Sequence, residues 1–209
     1  RKLWSQMEHC RKCFINNVEK KQFSTMVKIF FFALLLMFSL SSCNKSDMPE
    51  SADIDQQYFL PSKNEIHEAT WLQWPHQYQY GLAYRNSLDP IWVALTAALV
   101  ESEKVYLIAY NQREQNRIRN LLQAASIDLK QVKFHIYKTD DVWIRDNGPN
   151  FVRNESGKLV VLDWGFNGWG AKTDEFSGFP IQYQHCNAIP KQIARDLGKP
   201  WVNLNSIMI

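Results

Sequence analysis

Apolar and polar positions along this chain change their rhythm several times, and the changes mark its elements. Ile29 to Leu40 is an apolar run broken only by Ser39, and Met26 and Lys28 stand just before it. It is shorter than the roughly twenty residues a membrane-spanning helix needs and fits the apolar stretch of an export signal. From Asn44 to Ala69 the chain turns polar, which predicts a tether, with folded structure expected to begin near Thr70. Thr70-Trp71-Leu72-Gln73-Trp74-Pro75 predicts a short aromatic strand stopped by proline.

Helical spacing follows. Asp89 as N-cap and Pro90 at the first helical position predict a helix whose apolar face carries Trp92, Leu95 and Leu99. Lys104 to Tyr110 predicts a strand. Asn111 with Glu114 then predicts a capped helix lined by Ile118, Leu121, Leu122 and Ala125. Val132 to Tyr137 alternates as a strand and leads into an acidic segment. Past the turn at Asn147-Gly148-Pro149, strands are expected over 150–153 and 158–163, joined by a loop at 154–157. Pro190 to Leu197 predicts a helix ended at Gly198 and Pro200, and Trp201 to Ile209 a last strand. Strands alternating with helices make the fold class α/β.

Composition narrows the function. The chain has 209 residues and a formal net charge of +3, part of it in the leader, where Arg1, Lys2, Arg11, Lys12, Lys20, Lys21 and Lys28 lie. The body carries no basic stripe, no glycine-rich phosphate loop and no strong internal repeat, so nucleic acid is not an expected partner. Cys10 and Cys13 have a C-x-x-C spacing, but no second ligand pair follows at a zinc-finger distance. Residues 1–25 precede the plausible initiator Met26 and are expected to be upstream read-through.

The chemistry concentrates in two segments. The first is Thr139-Asp140-Asp141-Val142-Trp143-Ile144-Arg145-Asp146-Asn147-Gly148-Pro149. The second is Leu162-Asp163-Trp164-Gly165-Phe166-Asn167-Gly168-Trp169-Gly170. Carboxylates among indoles suit a flat cation, because a carboxylate accepts two donors of a planar guanidinium and an indole face attracts its charge. A packed core has no use for so many carboxylates. Arg145 is expected to pair with a neighbouring acid. Asp140, Asp141 and Asp163 could equally hold turns, and Trp71 and Trp74 are expected as core or rim aromatics.

The order of TWLQWP, DDVWIRDNGP and LDWGFNGWG, from about Trp71 to Gly170, resembles the agmatine deiminase and Porphyromonas-type peptidylarginine deiminase family. The resemblance implies a five-bladed α/β propeller, of which this chain would carry the first blades within 70–209. It implies hydrolysis of a guanidinium group by a cysteine thiolate, a histidine acid–base and gripping carboxylates, with no cofactor and no metal. Asp146 matches the carboxylate that holds the guanidinium, and Trp143 the aromatic wall. Asp141, Asn167 and Trp169 are further candidate substrate contacts. Leu40-Ser41-Ser42-Cys43 resembles a bacterial lipobox, which implies a signal peptide over 26–43, a lipid anchor on Cys43 and an exported protein of the cell envelope, with a cytoplasmic location as the alternative.

The family's later glutamate, histidine and cysteine motifs do not occur in this sequence. Cys186 follows His185, but adjacent side chains rarely face one another, so it is not expected to be the nucleophile. The expectation is an N-terminal fragment, inactive by itself, whose Cys and His lie beyond it. Three functions stay open: agmatine conversion to N-carbamoylputrescine, citrulline formation on arginine-containing peptides, and a surface lipoprotein that binds guanidinium or polyamine ligands without turnover. The leader favours the peptide substrate, whereas the absence of Arg from Gly165 to Gly178 argues against a reader of C-terminal carboxylates.

Overall fold

The computed structural model describes residues 51–53, 55–174 and 178–208. They fall in a compact unit running from Met48 to Ile209. The expected read-through, signal peptide and lipid anchor at Cys43, together with Cys10 and Cys13, lie outside the described residues.

Two sheets form the frame. β2 (Ala69–Gln73), β3 (Lys104–Ala109) and β4 (Val132–Ile136) make a parallel three-stranded sheet. α1 (Gln77–Leu99) and α2 (Gln112–Ala124) are its crossovers. The second sheet has the order β1 (Tyr58–Phe59), β5 (Asn150–Asn154), β6 (Leu159–Gly165), β7 (Trp201–Met208). Its first two pairings are antiparallel and the last is parallel. Between the sheets in sequence lies the short α3 (Ile144–Asn147). α4 (Gly168–Ala171), α5 (Gln184–Asn187) and α6 (Ile189–Asp196) connect β6 to β7. The expected α/β class holds, with one parallel and one mixed sheet.

The period of two decides which side of the parallel sheet is packed by which helices. Val105, Leu107 and Ala109 point toward Ile118 and Leu122 of α2 and toward Trp74, all fully or nearly buried. Ile108 and Tyr137 face the other way and meet Ile189 and Ile193 of α6. Each fully buried aliphatic side chain contributes about 1.5–3 kcal/mol. Asn111 caps α2 by accepting from the Glu114 backbone N–H at 2.9 Å, as its spacing predicts. α6 ends at Gly198, which takes the left-handed conformation with φ 60°.

Four expectations need correction. The stretch read as a tether contains β1, whose Tyr58 and Phe59 pair with Asn154 and Arg153, so ordered structure starts before Thr70. The helix read from Asp89 begins at Gln77; its bend falls at Gly81 (φ 69°, ψ 167°), and Pro90 sits inside it. The carbonyl left without a donor by Pro90 belongs to Asn86, an exposed position. Asp89 is no N-cap: its carboxylate is buried and accepts from the Trp74 indole at 2.8 Å and from Arg117 at 2.6 Å. The inward face of α1 includes Arg85, Asp89 and Thr96, which turns Leu95 outward, leaving it 44% exposed.

Arg85, Glu114, Arg117 and Asp89 form a chain of ion pairs between α1 and α2. Arg85 pairs with Glu114 at 2.9 Å, Arg117 with Glu114 at 2.8 Å and Arg117 with Asp89 at 2.6 Å. Removing one member strands a buried charge. The Arg85→Ala variant is expected to lose about 3–5 kcal/mol of unfolding free energy. Arg153→Ala, which breaks the exposed pair with Glu65, is expected to lose at most about 1 kcal/mol. Urea unfolding of both variants measures the contrast.

Candidate active site

The acidic segment leaves β4 and is fastened at once. Asp140 is buried, and its Oδ2 accepts the backbone N–H groups of His185 at 2.7 Å and Cys186 at 3.1 Å, at the start of α5. In return the Asp140 N–H donates to Cys186 Sγ at 3.2 Å. Gln73, at the end of β2, donates to the Asp141 carbonyl at 2.8 Å and contacts Cys186 Sγ at 3.9 Å. His76 Nε2 lies 2.9 Å from the Thr139 carbonyl. The end of β2, the residue before α1 and the start of α5 therefore hold residues 139–141.

Asp141 Oδ1 accepts from the Tyr80 hydroxyl and from the Val142 N–H at 2.8 Å. Burial and this carboxylate push the Tyr80 hydroxyl well above its usual range. Asp141, a candidate substrate contact, thus commits one oxygen to fixing its own loop.

α3 is a single turn, Ile144–Asn147, closed by Gly148, whose N–H bonds the Ile144 carbonyl at 2.9 Å. A Cβ on Gly148 would sit 2.3 Å from that same oxygen, so only glycine fits. Trp143 is the N-cap residue of this turn, and Asp146 stands three residues on, inside it. Trp143 is 53% exposed, and Asp146 is half-buried. No group among the described residues donates to the Asp146 carboxylate. Arg145 is exposed and makes no ion pair among the described residues, contrary to the expected pairing with a neighbouring acid.

In the second segment Asn167, a candidate substrate contact, holds its turn by accepting from the Gly170 N–H through Oδ1 at 2.7 Å. Trp169 adopts a left-handed backbone, with φ 58°, and is 41% exposed. Phe166 meets it edge-on at 5.2 Å. Such a backbone is uncommon away from glycine, and it presents the indole to solvent. Asp163 is buried in β6; Asn205 donates to its Oδ2 at 3.1 Å, its Oδ1 has no partner, and burial raises its pKa. Trp74 belongs to the core, while Trp71 packs half-buried against Tyr106 and His135, so both tryptophans are structural as expected.

The His185-Cys186 pair diverges: His185 is exposed and Cys186 fully buried. Burial is the main cause that pushes the Cys186 thiol up to about 11. A buried, protonated thiol is no nucleophile. Among the described residues no group of three or more His, Cys, Asp or Glu is arranged to hold a metal ion. Sequence reasoning missed Gln73, Tyr80 and His76 as supports of the site. Their only signal is that a strand end and the helix after it face the acidic loop across a crossover, which requires the topology.

Two outcomes test this geometry. Peptide-resolved mass spectrometry after iodoacetamide at pH 8 is expected to find Cys186 unmodified in the native chain and modified in urea. Stability is expected to fall below about pH 6.5, the ordinary histidine value. Burial, the largest cause, lowers the pKa of both His76 and His135. The folded chain thus binds fewer protons than the unfolded chain, so the contribution is whole above the unfolded value and is lost as pH falls toward the folded one. Urea midpoints at pH 7.5 and 5.5 measure it, and His76→Gln is expected to narrow the difference.

The model of the Porphyromonas-type peptidyl-arginine deiminase family matches residues 59–208. The agmatine deiminase of Stutzerimonas stutzeri strain A1501 is 30% identical over 139 residues, covering 65% of this chain and 34% of that protein. The agmatine deiminase of Pseudomonas aeruginosa strain LESB58 is 31% identical over 125 residues, covering 58% of this chain and 32% of the relative. The chain thus spans about a third of the length of these relatives. Among solved structures, a C. jejuni agmatine deiminase with substrate bound aligns with TM-score 0.58 and 23% identity, over 76% of this chain and 41% of its own. The agmatine deiminase of Enterococcus faecalis aligns with TM-score 0.58 and 20% identity, over 70% of this chain and 37% of its own. Matched over most of its length, with the acidic and tryptophan-rich segments inside the match, the chain belongs to the Porphyromonas-type peptidyl-arginine deiminase family.

Proposed function

We propose that this chain supplies the guanidinium-holding part of a hydrolytic deiminase that converts agmatine to N-carbamoylputrescine and ammonia. One observation carries the reading. Of the three carboxylates in the acidic segment, Asp140 and Asp141 accept hydrogen bonds from within the protein, whereas the half-buried Asp146 carboxylate has no donor among the described residues and lies three residues from the exposed Trp143. A guanidinium docked there gains two parallel charge-assisted hydrogen bonds from Asp146 and a cation–π face from Trp143, with Trp169 as a second aromatic wall. The carboxylate fixes the plane of the guanidinium, which sets the direction from which its carbon can be attacked. It also favours the positive charge kept on the nitrogens during addition.

The described residues hold no competent thiolate, so this chain's part is to bind and orient. The two sheets then stand as the first blades of the five-bladed propeller, and the apolar run ending at Cys43 makes an exported, lipid-anchored form the proposed location. The description of the matched family model favours a second reading, deimination of peptidyl arginine. Agmatine is preferred because the segment Gly165–Gly178 offers no Arg for a peptide carboxylate.

Binding of agmatine, read by calorimetry and tryptophan fluorescence, tests the proposal. Asp146→Asn is expected to weaken it about ten- to a hundredfold, the loss of hydrogen bonds to a charged acceptor. Trp143→Ala is expected to weaken it about two- to thirtyfold. Putrescine, which lacks the planar fork, is expected to compete poorly. Equal agmatine affinity in Asp146→Asn and the parent chain would defeat the reading. Tighter binding of an arginine-ended peptide than of agmatine would favour the second.

A further inference from the structure

The four residues of α5 touch both halves of the site. At one end the N–H groups of His185 and Cys186 are taken by the Asp140 carboxylate, from the acidic segment. At the other, Asn187 Oδ1 accepts the Phe166 N–H at 2.7 Å, from the tryptophan-rich segment. A helix of this length has no stability of its own, since its nucleation cost is not recovered by so few internal bonds. It exists because these outside partners and the buried Cys186 side chain hold it.

We propose that α5 is a brace that sets the Phe166–Trp169 loop against the Asp140–Asp146 loop, with Asp140 and Asn187 as positioning residues for the guanidinium site. The proposal rests on the reading of Asp146 and Trp169 as the two sides of that site. Phe166 is only 4% exposed, so its backbone N–H needs an acceptor inside the protein, and Asn187 provides it. The Phe166 ring in turn meets Trp169 edge-on at 5.2 Å. Without the Asn187 acceptor the loop loses this tie to α5, and with it a support of the Phe166–Trp169 ring contact. The reciprocal bond from the Asp140 N–H to Cys186 Sγ locks the opposite end of the brace. On this account Cys186 belongs to the scaffold of the site.

The test compares Asn187→Leu, which removes the acceptor, with Asn187→Asp, which keeps an oxygen in its place. Amide hydrogen exchange in the 209-residue chain gives a readout independent of any ligand. Phe166 is expected to exchange about ten- to a hundredfold faster in Asn187→Leu, the cost of an unsatisfied buried donor. Exchange of Val105 and Leu107 in the central strand is expected to stay unchanged, and Asn187→Asp is expected to restore Phe166 protection. Agmatine affinity is expected to fall in Asn187→Leu and to recover in Asn187→Asp. Unchanged Phe166 exchange in Asn187→Leu overturns the brace, as does acceleration of Phe166 and the central strand together. Faster Phe166 exchange with unaltered agmatine affinity overturns its positioning role. Failure of the parent chain to bind agmatine, with the exchange pattern as expected, counts against the proposed function and leaves the brace standing.

Discussion

Two arginines and two acids sealed between α1 and α2 fix where everything else can sit. Asp89 is shared by Arg117 and by the Trp74 indole, so the network locks the end of β2 as well as the two helices. Buried ion pairs of this kind roughly break even against apolar packing, because desolvation consumes most of their attraction. Their consequence here is geometric. With Trp74 held toward the helices, its neighbour Gln73 projects from the other side of the chain and reaches Asp141 and Cys186. The placement of the acidic loop thus follows from a charge network on the far side of the same strand.

Within the site, pairing sorts chemically identical groups into different roles. Asp140 works as a helix cap for α5, where the N-terminal N–H groups of a helix favour an anion. Asp141 works as a loop anchor through Tyr80 and the Val142 N–H. Asp163, buried in β6 beside Asn205, is kept from water and pushed toward its neutral form. Asp146, of these four, has no donor to either carboxylate oxygen among the described residues, and the exposed Trp143 stands three residues before it. The same residue type is structural or functional according to what donates to it.

Much of this was legible in the sequence. The period-two runs give β2 to β7 within a residue or two, and Asn111, Gly198 and Pro200 mark helix ends where backbone geometry demands those residues. The acidic and tryptophan-rich segments stand out because their composition suits neither a core nor an ordinary loop. What was hidden depends on long-range pairing. Asp89 reads as an N-cap before Pro90, and only the opposite charges of α2 make it and Arg85 inward positions, so the inward face of α1 and its start at Gln77 were missed. β1 was missed because two residues carry no period, and only the β5 edge makes them a strand. Asp141 and Asn167 read as candidate ligands, and that each also holds its loop, through the Tyr80 hydroxyl and the Gly170 N–H, is visible only in the fold.

The unpaired state of Asp146 is the point at which folding and function separate. A half-buried carboxylate without a donor is unfavourable to folding, and this chain avoids that condition at its neighbours. Asp140 receives backbone donors and Asp141 a hydroxyl and a backbone donor. Arg145, adjacent in sequence, points to solvent and leaves the carboxylate unneutralised. The one-turn helix holding Asp146 is closed by a glycine that no other residue can replace without meeting the Ile144 carbonyl. A tightly fixed turn that carries an unsatisfied anion and an exposed indole three residues apart spends stability on both features. A planar cation satisfies both at once, whereas a purely structural turn would have no reason to leave either exposed.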